Sequence, residues 1–254
     1  MSPTDPKDTR DSWNEIAADW DIQVGDEGDS NRILNSDPVL WAFAGDVSGL
    51  DVLDAGCGTG YLSRKLKEKG ARVRGVDFSG KMVEISRSKD PEIDFQVDSV
   101  DELVTVDDES VDLVIANYVL MDCGDLEGAT KSFGRVLRPG GAAVLVFSHP
   151  CFPGGHMKAS EDAREMDIHW DFPYFERNRV VDGPWAHFKT DFIWFHRPLS
   201  DYWKAFKAAG FNVEDMEEPR ITEERYHLAD SERRLARSKH LPWSIAFKLR
   251  KPGF

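Results

Sequence analysis

An acidic residue and three alternating glycines follow the first strongly apolar segment of the chain. They read Asp54-Ala-Gly56-Cys-Gly58-Thr-Gly60, and a helical pattern begins directly afterwards. Glycine permits positive φ angles and carries no Cβ atom, so a ligand can lie directly on the backbone of such a turn. The turn also brings the N-terminal end of a helix, with its free N–H groups, to that ligand. The spacing therefore predicts a ligand site at the carboxyl end of a strand.

The position after the last glycine decides against one class of ligand. A dinucleotide fingerprint, G-x-G-x-x-G, requires a third glycine where this chain has Tyr61. This disfavours an NAD-dependent dehydrogenase. Three alternating glycines are a weak signal alone, and the acid at Asp54 strengthens it. A glycine-rich turn that binds nothing is the alternative.

Three more polar residues stand at the ends of predicted strands. Asp77, Asp98 and Asn117 each close or follow an apolar segment downstream of the glycine turn. A carboxylate at such a position can accept hydrogen bonds from both hydroxyls of a ribose. The alternative for Asp77 and Asp98 is a helix N-cap or a loop acid.

The chain from residue 50 alternates between strand and helix patterns. This alternation predicts an α/β fold with a doubly wound, mostly parallel, seven-stranded sheet, and with ligands bound at the carboxyl ends of its strands. We predict strands over 50–53, 72–77, 93–97, 111–117, 142–148, 211–217 and 243–250, and helices over 61–69, 80–88, 126–137 and 198–209. A turn over 138–141 is predicted before the fifth strand.

Taken together and in this order, the motifs resemble those of the class I S-adenosylmethionine-dependent methyltransferases. Asp54 to Gly60 resembles their first motif, Val73 to Ser79 their second, and Leu137 to Gly141 the turn before strand five. The resemblance implies a Rossmann-like methyltransferase fold with S-adenosyl-L-methionine as cofactor. It also implies a set of cofactor-binding residues: Asp54, Gly56, Gly58, Gly60, Asp77, Phe78, Met82, Asp98, Ser99, Val100, Asn117 and Tyr118.

The resemblance further implies which part of the cofactor each of these residues contacts. Asp77 would meet the ribose hydroxyls and Asp98 the adenine amino group, with Phe78 and Met82 beside the adenine ring. Asp54 would help to hold the ammonium group of the methionine portion. The stretch after strand four, which begins with Asn117-Tyr118, would line the pocket near that portion.

A candidate for acid–base chemistry follows the fifth predicted strand. Methyl transfer is an in-line displacement, so a general base is needed only if the nucleophile still holds its proton. His149, in Ser-His-Pro-Cys-Phe, titrates in the right range for that task. Tyr174 is the second catalytic candidate, as a residue that orients a substrate. A structural histidine is an equal alternative, and a metal site of His149, Cys151 and His156 is a minor one.

The chain divides into four predicted segments: an N-terminal helical flap over 1–48, a cofactor-binding core over 49–147, an aromatic-rich substrate cap over 148–197, and a C-terminal completion of the sheet over 198–254. Residues 1–11 are expected to be loosely attached, with Ser12 capping a helix over 13–20. A second helix, over 33–44, should be split at Pro38. Asp29, Asn31 and Arg32 are candidates to join the closed site.

Composition limits the partners. The formal net charge is −14 at pH 7, which argues against a nucleic-acid substrate because a phosphate backbone would be repelled. The three cysteines show no disulfide or zinc spacing, and there is no apolar run long enough for a membrane span. We expect a cytoplasmic monomer or homodimer without a bound metal.

These observations predict a methyltransferase that acts on an oxygen or nitrogen of a small molecule. Carbon and sulfur acceptors stay open. A non-catalytic S-adenosylmethionine-binding regulatory or scaffold protein is one alternative, and an RNA or protein methyltransferase is another.

Overall fold

The architecture is taken from a computed structural model, which describes residues 6–152, 157–160, 165–169, 172–229 and 231–253. The strands are β1 Asp51–Ala55, β2 Arg72–Asp77, β3 Asp94–Val97, β4 Val111–Asn117, β5 Leu137–Ser148, β6 Met157–Ala159, β7 Met166–Ile168, β8 Asn178–Asp182, β9 Phe192–His196, β10 Asn212–Glu217 and β11 Ser244–Arg250. The α-helices are α1 Pro6–Val24, α2 Asp37–Ala44, α3 Tyr61–Glu68, α4 Gly80–Lys89, α5 Leu126–Val136, α6 Leu199–Ala208 and α7 Glu232–His240. A π-helix covers Arg32–Ser36 and a 3-10 helix covers Glu223–Leu228.

The predicted seven-stranded, mostly parallel sheet is confirmed. Its strand order is β10-β11-β5-β4-β1-β2-β3, and the five strands from β1 to β5 run parallel. β11 pairs antiparallel with both β5 and β10. The chain leaves β1 towards β2 on one side and returns to β4 on the other, so the strand order reverses beside β1. Ligands bind at such a switch point in doubly wound sheets.

Helices cover both faces of the sheet because its central strands are apolar on both sides. On one face, Phe133 of α5 and Phe206 of α6 are fully buried against the sheet. On the other face, Leu40 of α2 and Leu66 of α3 are buried in the same way. The core therefore fixes the strand ends from both sides, and the ligand site is built on those ends.

The strand β5 differs from its prediction. It begins at Leu137 and includes the segment predicted as a turn. The pairing with β4 passes from Val111↔Leu137 directly to Leu113↔Ala142, so residues 138–141 are an irregular stretch within the strand. Gly140, with φ of 78°, supplies the conformation that this irregularity needs.

The first helix is longer than predicted. It begins at Pro6, since proline is favoured at the first position of a helix. Residues 6–11 are therefore helical rather than loosely attached, and residues 1–5 lie outside the described part. Ser12 is not a cap, because its Oγ donates to the carbonyl oxygen of Asp191 at 2.8 Å. The predicted split of the next helix at Pro38 is confirmed, with a π-helix followed by α2.

A hairpin stands between β5 and α6. It is formed by β8 and β9, which pair antiparallel from Asn178↔His196 to Asp182↔Phe192. Its aromatic side chains meet α1: Trp13 lies 6.0 Å from Phe192 and Trp20 lies 6.0 Å from Phe188, between ring centroids. The hairpin and the N-terminal helix thus form one aromatic layer. Among the described residues, no helix combines the length and apolarity needed to cross a membrane.

Candidate active site

A cavity of about 460 Å³ opens at the carboxyl ends of β1, β2 and β4. Its size is within the range of small-molecule sites. The sheet side contributes the glycine turn and the residues that follow β2, β3 and β4. The opposite side is formed by α1, Arg32 and Phe195. All predicted cofactor residues except Gly60 and Asp98 line this cavity.

The glycine turn is shaped by positive φ angles and close contacts. Gly56 has φ of 78°, and a Cβ atom there would lie 2.4 Å from Cγ2 of Val119. The N–H groups of Gly56 and Cys57 both donate to the carbonyl oxygen of Val76, which ties the turn to β2. Gly60, with φ of 81°, is the N-cap of α3 and lies behind the cavity wall. The alternating glycines therefore bring bare backbone to the cavity and start α3 beneath it.

Asp54 is a buried carboxyl at the edge of the cavity. Its Oδ2 accepts a hydrogen bond from Ser63 Oγ at 2.5 Å. Burial raises the pKa of Asp54 to about 7, and the nearby charge of Asp77 adds to the rise. A ligand that brings a positive charge close to Asp54 would reverse this shift, because it stabilises the ionised form.

Asp77 is held by the backbone on both of its oxygens. The N–H of Gly58 donates to Oδ2 and the N–H of Ser79 to Oδ1, each at 2.9 Å. Burial nevertheless raises the pKa of Asp77 to about 6. The two hydrogen bonds fix the carboxylate at the end of β2 and leave lone pairs for hydroxyl donors from a ligand.

The residues after β2 and β3 form the next part of the wall. Phe78, Met82, Ser99 and Val100 line it, as does Asp101, which the sequence did not indicate.

Asp98 is placed differently from its neighbours. Its Oδ2 accepts hydrogen bonds from the N–H and Oγ1 of Thr105, and its Oδ1 accepts one from the N–H of Ser99. These bonds stabilise the loop after β3, and Asp98 does not line the cavity. This arrangement matches the loop-acid alternative rather than the expected contact with an adenine amino group.

The end of β4 supplies an unpaired acceptor. Nδ2 of Asn117 donates to Ser36 Oγ at 3.3 Å, whereas its Oδ1 is buried without a partner in the described part of the chain. Tyr118 follows with φ of 58°, an unusual value for a residue with a bulky side chain. Both residues line the cavity. A buried carbonyl oxygen without a donor fits a ligand that carries N–H groups.

The N-terminal part of the chain supplies the opposite side. Thr9, Trp13, Trp20 and Val24 of α1 line the cavity. The guanidinium of Arg32 also lines it and lies over the ring of Trp20, 5.1 Å from the ring centroid.

Of the three N-terminal site candidates, only Arg32 lines the cavity. Arg32 is held by an ion pair with Asp29 at 3.2 Å between Nη1 and Oδ2. Asn31 accepts a hydrogen bond from Nδ2 of Asn35 at 2.9 Å. Asp29 therefore supports the position of Arg32 from behind, whereas Asn31 bonds to Asn35.

The two predicted catalytic side chains do not line the cavity. His149 is buried, with Nε2 2.8 Å from Glu218 Oε1 and Nδ1 accepting from the N–H of Cys151 at 3.1 Å. Nδ1 is therefore unprotonated, and Nε2–H donates to Glu218. Burial lowers the pKa of His149, against the opposing effect of Glu218. With both nitrogens engaged, His149 is arranged as the structural alternative expects.

Tyr174 is likewise engaged by other parts of the chain. Its hydroxyl accepts from the N–H of Leu199 at 3.0 Å and lies 3.3 Å from Sγ of Cys151. His156, from the minor metal alternative, lies outside the described residues. Among those that are described, no three acidic, histidine or cysteine side chains converge as metal ligands.

Sequence reasoning missed one group in the wall. The β4 loop, residues 118–125, lines the cavity with Tyr118 and Val119, which belong to the predicted stretch, and also with Asp122, Cys123, Gly124 and Asp125, which were not predicted. The signal was present, since an acid five residues after the end of β4 can reach the same edge of the sheet as Asp77. Its weight was low because Asp122 belongs to no recognised motif.

The observations fit one ligand class. An acidic cavity with a bare glycine turn, a carboxyl at the end of β2 and an unpaired Oδ1 suits a nucleoside with an attached amino acid. Together, the fold and the site resemble those of the class I S-adenosylmethionine-dependent methyltransferases. Residues 53–145 match the family described as "Methyltransferase domain". The chain thus contains a methyltransferase domain, and its cofactor is S-adenosylmethionine.

Relatives and solved structures agree with this assignment. A malonyl-[acyl-carrier protein] O-methyltransferase from Serratia marcescens is 36% identical over 100 residues, which cover 39% of this chain and 38% of that protein. A ubiquinone biosynthesis O-methyltransferase from Xanthomonas oryzae is 32% identical over 104 residues, covering 39% and 44%. The chain thus spans less than half the length of these curated relatives. The crystal structure of an S-adenosylmethionine-dependent methyltransferase from Mesorhizobium loti matches with a TM-score of 0.71 at 25% identity, covering 89% of this chain and 100% of that one.

Proposed function

We propose that this protein transfers a methyl group from S-adenosylmethionine to an oxygen or nitrogen of a small-molecule acceptor. The observation that carries the proposal is the single cavity wall in which the glycine turn, Asp77 and Asn117 stand together. Relatives named as a malonyl-[acyl-carrier protein] O-methyltransferase and a ubiquinone biosynthesis O-methyltransferase support the reaction class.

Each group of the cofactor has a matching residue in the proposed site. Asp77 accepts from the ribose hydroxyls, while Asp54 and the free Oδ1 of Asn117 accept from the ammonium group. The N-terminal end of α3 and the glycine turn face the methionine carboxylate. Phe78 and Met82 lie against the adenine ring. Asp98 acts from behind, by shaping the loop that carries Ser99.

The bound cofactor supplies a methyl group on a positively charged sulfur. The protein's own task is then to hold the acceptor in line with that methyl group and to exclude water. Such orientation can lower a barrier by several kcal/mol, up to about 7–11 in favourable cases. The aromatic side chains of α1 suit the exclusion of water, since Trp13 and Trp20 close the cavity opposite the sheet.

The small size of the acceptor follows from the cavity and the charge. About 460 Å³ must hold both the cofactor and the reacting part of the acceptor. The net charge of −14 opposes a nucleic-acid acceptor.

Two measurements test the proposal. Calorimetry should detect binding of S-adenosylmethionine and no binding of NAD, and the reverse result would exclude a methyltransferase. A transfer assay with methyl-labelled cofactor and pooled metabolites should then label a small molecule. Cofactor binding without any transfer would instead support a non-catalytic cofactor-binding protein.

A further inference from the structure

Asp122 is the one acid in the cavity wall whose side chain has no hydrogen-bond donor among the described residues. The other acids in the wall each have a protein donor. Asp54 accepts from Ser63, Asp77 from Gly58 and Ser79, Asp101 from Ser99, and Asp125 from Gly128. The carboxyl of Asp122 is thus left for a donor that comes with a ligand.

The cavity offers Asp122 no compensating cation. Among the described residues that line it, the positive charge comes from Arg32, whose guanidinium is already paired with Asp29. Burial, with the charge of Asp77 as a lesser cause, raises the pKa of Asp122 well above its usual value. A ligand with a positive charge or a strong N–H donor would stabilise this carboxylate, whereas an anionic ligand would be repelled.

Aromatic residues line the cavity together with Asp122, and one of them packs against the loop that carries it. The neighbouring strand β9 is joined to the β4 loop by a hydrogen bond from the N–H of Phe195 to the carbonyl oxygen of Met121, at 2.7 Å. The Phe195 ring lies over Gly124, 3.6 Å from the point where a Cβ would stand. Tyr118 lines the same wall. A carboxylate and aromatic rings that line one cavity are the combination that recognises organic ammonium groups.

We propose that Asp122 binds the nitrogen of a small amine acceptor and takes its proton during methylation. This inference rests on the proposed function and names its substrate class. The acceptor ammonium gives one proton to the Asp122 carboxylate, and the freed lone pair forms the new bond to the methyl carbon. The carbon–sulfur bond breaks with its electron pair on sulfur, so the sulfonium becomes a neutral thioether. The positive charge passes to the methylated nitrogen.

The first experiment uses two probes of opposite charge and similar shape. Phenethylamine and phenylacetate are titrated by calorimetry into the protein loaded with S-adenosylhomocysteine. Hydrogen bonds to a charged group contribute about 1.5–3 kcal/mol, so the amine should bind at least about tenfold more tightly than the acid. Asp122→Asn should remove this preference. Asp107→Asn, which deletes the same charge at an exposed loop position, should retain it.

The results that overturn the inference are distinct. Equal binding of the two probes, tighter binding of phenylacetate, or binding of neither would each contradict it. A preference that survives in Asp122→Asn would assign amine recognition to another residue. Loading each variant with S-adenosylhomocysteine also confirms that it is folded.

The second experiment separates this inference from the proposed function. Products of methyl-labelled transfer are divided by ion exchange at pH 7 into cationic, neutral and anionic fractions. The label should appear in the cationic fraction, and Asp122→Asn should slow its appearance by about 100-fold or more while cofactor affinity stays within about threefold. Label in the anionic fraction would overturn the amine assignment and leave the methyltransferase intact. Absence of any transfer would overturn both.

Discussion

The two sides of the cavity are built on different principles. The wall that is proposed to hold the methyl donor, called the donor wall below, consists of residues 54–60, 77–82 and 99–101. Its shape is set by backbone hydrogen bonds and by glycines with positive φ. The cover wall consists of Thr9, Trp13, Trp20 and Val24 of α1 together with Phe195 of β9. It is held by aromatic packing and side-chain contacts with the hairpin.

This difference decides what substitutions will do. The donor wall leaves little space for change, because its backbone positions and its buried carboxyls are tightly constrained. The cover wall distributes its contacts over several aromatic rings, so the loss of one ring should have a smaller effect. The following predictions test that contrast, in order of decreasing expected effect.

The largest effect is expected on the free energy of unfolding, through the buried carboxyl group of Asp54. Its pKa is about 7 in the folded protein, against a usual value of 3.8. The folded state therefore binds more protons between about pH 4 and pH 7, so the free energy of unfolding falls as the pH rises through that window. At ~1.4 kcal/mol per pKa unit, the loss above pH 7 is at most about 4 kcal/mol.

Asp54→Asn should remove this dependence in the protein without cofactor. Its free energy of unfolding, measured in urea, should decline less than that of the parent protein between pH 5 and pH 8. Asp107→Asn is the control for the general effect of net charge. Parallel curves for the parent and Asp54→Asn would contradict the assignment.

The glycine turn gives the second prediction. Gly56→Ala should lower the free energy of unfolding by about 2 kcal/mol or more, because a side chain with positive φ and a forced contact with Val119 each cost at least about 1 kcal/mol. Denaturant unfolding measures the change. Gly80→Ala is a matched control, since a Cβ there meets nothing within 4 Å. Equal stability of Gly56→Ala and Gly80→Ala would show that the glycine turn is not constrained by the positive φ and the contact with Val119.

Asp77→Ala should weaken S-adenosylmethionine binding at least about tenfold. It removes the proposed acceptor of the ribose hydroxyls and leaves the N–H groups of Gly58 and Ser79 without a partner, at about 1–3 kcal/mol for a buried donor. Calorimetry measures the affinity. Unchanged binding would show that the ribose is held elsewhere.

His149→Ala should act on stability more than on the reaction. It breaks the bond to Glu218 and leaves the N–H of Cys151 unpaired, which should lower the free energy of unfolding by about 1–2 kcal/mol. Cofactor affinity and methyl transfer should change less than about threefold. A large loss of transfer with normal stability would restore the catalytic role first predicted for this histidine.

The smallest effect is expected in the cover wall. Trp20→Ala removes one ring of the layer and its contact with Arg32, which is worth about 0.5–1 kcal/mol, so cofactor affinity should fall about two- to fivefold. Trp185→Ala is the control, because Trp185 packs in the same aromatic layer without lining the cavity. A loss as large as that of Asp77→Ala would erase the contrast between the two walls.

The sequence predicted the donor wall better than the cover wall for a physical reason. A positive φ angle requires a glycine at one position, and a carboxyl at a strand end requires one acidic residue. Such single-residue features can be recognised in one sequence. Strands β2 and β4 also had the predicted bounds.

What could not be predicted depends on distant packing. Nothing local to His149 indicates that Glu218, far along the chain, will occupy its Nε2. The β4 loop, which carries Asp122, is joined to β9 by the hydrogen bond from Phe195 to Met121, which is also a long-range contact. The length of α1 was missed because the polar residues at its start suggested disorder.

The attachments of α1 carry a kinetic consequence. Ser12 is bonded to the hairpin, Asn14 to Ser79 at 2.8 Å, and Asp21 to Lys89 at 2.6 Å, so one helix is fastened on both sides of the cavity. A spent cofactor that leaves past this helix must wait until these contacts open together. We therefore expect the residence time of the product, rather than the bond-breaking step, to limit the rate of turnover.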